Sequence, residues 1–188
     1  MSTGYKIADK EGLYYLTFQV VRWIDVFTRK TYKDVIIESL KYCQKNKGLE
    51  LYAYVIMSNH IHLLAKSENE KLSETIRDFK RHTSKTILEM IETGNESRKE
   101  WMLNLFGFEP SKHKRNENYQ FWTHENHAEH IYSIKFIAQK LQYIHNNPVR
   151  AGYVENAWDY LYSSARNYAS LDAVIDVILL TIPVKTVR

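Results

Sequence analysis

The stretch that decides the fold runs from Leu49 to Ser67 and reads LELYAYVIMSNHIHLLAKS. Leu49 to Met57 is dense in β-branched and aromatic side chains. It reads as a strand, buried on both faces toward its end. Ser58-Asn59 makes a tight break. His60 to Ser67 resumes as a second strand, and the simplest pairing of the two is an antiparallel hairpin. Gly48 stands where a helix C-cap glycine belongs. It closes a helical pattern over Tyr32 to Lys47 in which Val35, Ile36, Leu40 and Cys43 share one face.

Working outward, Leu13 to Arg22 (LYYLTFQVVR) reads as another strand. Leu72 to Glu92 predicts the longest helix, with an apolar stripe of Leu72, Ile76, Phe79, Thr83, Ile87 and Met90. Over residues 93–118 the pattern weakens to a loop holding Gly94, Gly107, Pro110 and SKHKRNEN, with one short helix around Trp101 to Phe106. Tyr119 to Trp122 is read as a short strand. Ile131 to Asn147 is a helix with Ile134, Ile137, Leu141 and Ile144 facing the core, and Pro148 is expected to end it. This order predicts an α+β fold in one domain, a sandwich of a mostly antiparallel sheet with helices packed on it. Residues 1–12 form an N-terminal extension, 13–170 the main domain and 171–188 a C-terminal tail. The apolar part of that tail, Ala173 to Ile182, is expected to be an extra strand or an arm swapped to a partner.

Composition narrows the function. The chain has 188 residues, 44% hydrophobic and 13% aromatic, enough to bury a core and exclude disorder. A single cysteine, Cys43, excludes an internal disulfide and a cysteine-based zinc ribbon, and suits a reducing, cytoplasmic setting. The N-terminus has no apolar signal region, and the longest apolar stretch, broken by Asp176, is too short to span a bilayer. Net charge is +4, a modest excess that points to an anionic partner.

His60-Ile61-His62 is the first candidate for chemistry. Strand side chains alternate, so His60 and His62 share a face and can converge on one divalent cation through neutral ring nitrogens. Ordinary hydrogen-bonded histidines are the alternative. A second candidate is the helix end QKLQYIHNNPVRAGYV, where Tyr143 and Asn147 lie four residues apart on one face. Asn147 near a negative helix end suits a metal ligand, but Asn before Pro is also a plain stop signal. In THENHAEH (Thr123 to His130), His124, His127 and His130 form either a metal cluster or, on balance, a polar loop capping the next helix. Arg77, Lys80, Arg81 and Lys85 make a basic stripe on the long helix. With Lys112, Lys114 and Arg115 they are candidates for tracking a phosphate backbone. Trp101, Tyr119, Phe121 and Trp122 are candidates for stacking on bases, or else core aromatics.

VIMSNHIHLL (Val55 to Leu64) together with YIHNNPVRAGYV (Tyr143 to Val154) resembles the single-tyrosine HUH transposases. Among them, it resembles the REP-associated tyrosine transposase branch of the insertion-sequence superfamily. The likeness runs from the first strand through Phe121-Trp122 to the SSAR segment at Ser163 to Arg166. It implies a ferredoxin-like fold and a divalent ion, Mg²⁺ or Mn²⁺, held by His60 and His62 with Asn147 as the third, amide ligand. It also implies that Tyr143 is a nucleophile on single-stranded DNA beside a hairpin, leaving a 5′-phosphotyrosine and a free 3′-hydroxyl. A homodimer is the expected state. The 93–118 stretch is longer than in the shorter relatives, and the tail beyond Ser170 carries no motif of theirs.

Overall fold

The computed structural model describes residues 7–108, 119–124 and 127–181. In chain order these form strand β1 (Tyr14–Gln19), helix α1 (Lys30–Lys47), strands β2 (Leu49–Ile56) and β3 (His60–Ser67), and helices α2 (Leu72–Thr93) and α3 (Lys99–Phe108). Strand β4 (His127–His130), helix α4 (Ile134–Arg150) and the short helix α5 (Ala165–Tyr168) follow. The four strands make one sheet in the order β2-β3-β1-β4, every pair antiparallel. With α1 crossing from β1 to β2, this is the expected ferredoxin-like arrangement.

Strand alternation sorts the chain into two layers. Leu16, Phe18, Leu51, Tyr54, Ile56, Ile61 and Leu63 point to one face, where Ile36 and Leu40 of α1 and Ile76, Phe79 and Ile87 of α2 complete the main core. Tyr15, Ala53, Val55 and Leu64 point to the other face. There Leu141 and Ile144 of α4 form a smaller core. His60 and His62 belong to this second face. Gly48 ends α1 at φ 64°, a left-handed position that suits glycine, and its N–H donates to the Cys43 carbonyl. Cys43 is buried, and burial pushes its thiol up to about 11.

The Ser58-Asn59 turn is closed by Met57 N–H donating to the His60 carbonyl at 2.9 Å. The segment after β1 then grips it: Val20 N–H donates to the Asn59 carbonyl and Phe27 N–H to the Ser58 carbonyl. β1 is therefore shorter than the sequence suggests, because after Gln19 the chain turns to clamp the hairpin. Arg22 and Trp23 take positive φ there, 54° and 57°.

Four expectations change. Tyr119 to Trp122 is not a strand; only Trp122 makes an isolated bridge, to Val20. The fourth strand is instead His127–His130, paired with β1 from Thr17↔His127 to Tyr14↔His130. His-Ala-Glu-His has little strand propensity, and the exposed hydrogen-bonding edge of β1 organises it. The polar-loop reading of this stretch fails for the same reason, and the cap of α4 is Ser133, whose side chain accepts from Phe136 N–H. Pro148 does not end α4, which continues to Arg150. Proline removes only its own N–H, and Ala151 N–H still reaches the Asn147 carbonyl at 3.0 Å. Ile134, read as core-facing, is 59% exposed in the first turn.

The tail over 171–181 forms no strand. It lies along its own chain, with Ile175 buried in the main core and Ile178 N–H donating to Leu51 carbonyl, where β2 departs from regular pairing. The SSAR segment is a clasp. Ser163 bridges Val55, and the Ser164 hydroxyl accepts from Tyr54 N–H while lying 2.9 Å from His145 Nε2.

Candidate active site

The register of β1 against β3 sets His62 opposite Thr17 and His60 opposite Gln19. The histidine rings stand 4.7 Å apart, centroid to centroid, on the α4 side of the sheet. Each ring has its Nδ1 occupied. His60 Nδ1 lies 2.7 Å from Asn59 Oδ1, an acceptor, so this nitrogen carries the proton. His62 Nδ1 lies 2.8 Å from the Tyr15 hydroxyl and 2.9 Å from that of Thr17. With Nδ1 engaged, the other nitrogen of each ring is left as the coordinating one.

His62 Nε2 is buried and has no hydrogen-bond partner. An orphaned imidazole nitrogen costs free energy unless something fills the gap, and a divalent cation does so. Burial also holds both rings neutral. It pulls His60 down to about 4, and it pulls His62 well below the ordinary histidine value, helped by the nearby His60 and Lys140. Neutral imidazoles are the form that binds metal. The donor set therefore fits a metal. Among the described residues, no group of three or more His, Cys, Asp or Glu side chains is placed to hold one.

Helix α4 brings the phenol. Tyr143 is 39% exposed, and its ring stands edge-on to His62 at 5.4 Å and to Tyr15 at 6.2 Å. The helix starts near Leu13, whose carbonyl accepts from Ile131 N–H. Just past its end, Tyr153 donates to Ser58 Oγ. α4 thus runs toward the hairpin turn, and Asn147, one turn beyond Tyr143 on the same face, lies on the His60 side. The Asn147 carbonyl accepts from Ala151 N–H within the helix ladder, whereas its side-chain oxygen stands outside that ladder. The phenol faces an open cleft lined by Tyr15, Thr17, His62, Glu129, Lys140 and Tyr143. A roomier groove between α1 and α2 lies on the opposite side of the sheet and contains none of these groups.

Several residues of the site escape a reading of motifs. Tyr15 and Thr17 flank His62 from the neighbouring strand; their alternation along β1 is the only trace in sequence. Lys140 pairs with Glu129 at 2.7 Å and sits 4.1 Å from the Tyr15 ring centroid. The Arg150 guanidinium lies 5.5 Å from the Tyr143 ring centroid, two helical turns along α4.

The other candidates divide. His127 and His130, three apart on a strand, point to opposite faces: His127, opposite Thr17, lines the cleft that Tyr143 faces, whereas His130 pairs with Asp9 at 3.4 Å. The α2 residues Arg77, Arg81 and Lys85 are exposed, but α2 packs on the sheet face opposite the histidines. Lys80 is half-buried, donates to the Thr123 carbonyl at 2.8 Å, and burial pulls it down to about 8. Lys112, Lys114 and Arg115 lie outside the described residues. Phe121 and Trp122 are core, not stacking surfaces, with the Trp122 indole donating to Thr83 Oγ1. Trp101 and Tyr119 are exposed.

A ferredoxin-like sheet with a His-hydrophobic-His strand, faced by a tyrosine on an added helix, is the layout of a single-tyrosine transposase. The chain belongs to the IS200-like transposase family: the family model described as "Transposase IS200 like" matches residues 13–109. That match runs from β1 through α3 and stops short of Tyr143. The fold is shared with a solved REP-associated tyrosine transposase bound to a REP hairpin, at TM-score 0.64 and 17% identity over the whole of both chains. No curated protein matches this sequence. No helix among the described residues is long and apolar enough to cross a membrane.

Proposed function

We propose that this protein is a divalent-metal-dependent transposase that cuts and rejoins single-stranded DNA through a 5′-phosphotyrosine on Tyr143, at hairpin-flanked sites. The observation that carries this reading is the exposed Tyr143 phenol 5.4 Å, ring to ring, from His62, whose Nε2 is buried and unpartnered. His60 and His62, with the Asn147 side-chain oxygen, would hold Mg²⁺ or Mn²⁺. Such an ion supplies Lewis-acid stabilisation of charge on the phosphate oxygens.

Tyr143 Oη attacks phosphorus. The Oη–P bond forms as the P–O3′ bond breaks, the phenol proton is released, and the departing 3′-oxygen takes up a proton. One phosphodiester replaces another, so a second strand's 3′-hydroxyl can reverse the step and join DNA. Arg150 beside the phenol supplies positive charge to stabilise negative charge developing on the phosphate oxygens. A homodimer on hairpin DNA belongs to this reading; the structural neighbour was solved on such a hairpin.

The test is covalent capture. Incubated with Mn²⁺ and hairpin-flanked single strands, the wild-type protein forms a denaturation-resistant adduct that mass spectrometry places on Tyr143. Tyr143→Phe forms none while keeping its DNA affinity, because phosphate contacts elsewhere supply most of it. Cleavage without an adduct would instead mean hydrolysis by an activated water.

A further inference from the structure

We infer that Trp23 is a stacking platform for a DNA base next to the scissile phosphate. This rests on the proposed single-strand activity and names where that site grips its substrate.

Trp23 is 59% exposed, yet its position is fixed. Its N–H donates to the Val20 carbonyl, and its own carbonyl accepts from Asn59 Nδ2 at 3.3 Å. On either side, Val21 and Ile24 are buried and anchor the turn. Trp23 and Arg22 both hold positive φ, 57° and 54°. Left-handed backbone is unfavourable for residues with a Cβ, and two in succession are rare outside sites where the conformation is used. The conformation buries Val21 and Ile24 and leaves the large indole facing water.

The indole stands beside the chemistry. Its ring centroid lies 6.0 Å from that of His60, edge-on at 81°. Asn59, whose amide holds the Trp23 carbonyl, is polar. Across the same hairpin turn, Tyr153 is 49% exposed and is tied to Ser58. An exposed indole beside an imidazole, on a turn held by polar contacts, makes a poor seat for an apolar peptide side chain. It suits a flat base whose edges remain hydrogen-bonded to water. Stacking of this kind tolerates any sequence, as a strand-cutting enzyme needs next to its reacting phosphate.

The experiment uses the full chain with Mn²⁺ and two single-stranded probes: a dT 20-mer, and the same 20-mer carrying 5-iodouracil for photocrosslinking. The expected result is that Trp23→Ala weakens dT 20-mer binding about tenfold, that Trp23→Phe weakens it less than threefold, and that the crosslink maps to Trp23. Thermal midpoints should match the wild type, since the indole is mostly exposed. If the wild type binds and Trp23→Ala binds equally well, with crosslinks elsewhere, this inference is overturned while the transposase reading stands. If the wild type binds no single strand at all, both fall.

Discussion

The Tyr15 hydroxyl lies 2.8 Å from Nδ1 of His62, and this contact fixes which nitrogen of His62 faces the cleft. Burial pushes the Tyr15 phenol well above the ordinary range, so it stays a neutral hydroxyl at any working pH. Thr17 closes the same nitrogen from 2.9 Å. Such supporting hydrogen bonds raise ligand basicity and hold the ring. Tyr15→Phe combined with Thr17→Val should therefore weaken Mn²⁺ binding by roughly 10- to 100-fold while the fold persists. Titration calorimetry with Mn²⁺, beside a near-ultraviolet dichroism spectrum, measures both. Unchanged affinity with an intact spectrum would remove these hydroxyls from the proposed metal site.

The buried histidines also set an acid limit. His60 and His145 are pulled to about 4 by burial, and His62 lower than its ordinary value for the same reason. In the unfolded chain all three titrate near about 6.5. Between those values the unfolded state binds more protons, so stability rises with pH through the window and is fully present above it. Each histidine adds a slope of up to about 1.4 kcal/mol per pH unit. Denaturant midpoints at pH 7, 6 and 5 should fall steeply toward pH 5, and a His145→Gln variant should fall less steeply. A flat series would mean these rings are more hydrated than their burial indicates.

Much of this architecture was legible in the chain. The boundaries of β3 came from one apolar run bounded by Ser58-Asn59, and those of α2 from a long regular stripe. What failed was governed by tertiary context. His127–His130 has no local strand signal; it pairs because β1 offers an edge. Pro148 looked like a stop, but the last turn of α4 tolerates one missing N–H. Phe121 and Trp122 read equally as base platforms or core aromatics, because composition cannot separate a buried aromatic from an exposed one. Trp23 gave no signal, since its exposure follows from a left-handed turn between Val21 and Ile24. His60, His62 and Tyr143 were found by motif, whereas Tyr15 and Thr17 required the β1–β3 register.

The basic stripe on α2 lies across the sheet from the histidines, so any DNA it holds must pass around an edge of the sheet. Arg77 already donates to Asp78, which lowers its value as a phosphate partner. Replacing Arg77, Arg81 and Lys85 with Gln should flatten the salt dependence of single-strand binding by about 0.7 for each phosphate no longer neutralised. Plots of log affinity against log salt concentration for wild type and the triple variant give the slope difference. Equal slopes would make this face ordinary solvated surface.

Arg150 offers the most direct test of how charge at the reacting phosphate is met. Its guanidinium lies 5.5 Å from the Tyr143 ring centroid, on the exposed end of α4 and outside the packed core. A fixed positive charge there stabilises the negative charge that develops on the phosphate as the Tyr143 oxygen attacks. This effect is larger in the transition state than in the bound complex. Arg150→Ala should therefore slow adduct formation by roughly 10- to 100-fold, about 1.4 to 2.7 kcal/mol in barrier, while DNA affinity drops only a few-fold. Arg150→Lys should recover part of the rate, because charge returns without the planar geometry. Single-turnover rates at saturating DNA, beside equilibrium affinities for the same strands, resolve the pattern. If Arg150→Ala reduces affinity and rate in equal proportion, the arginine is a simple phosphate anchor and the transition-state charge is met by other groups.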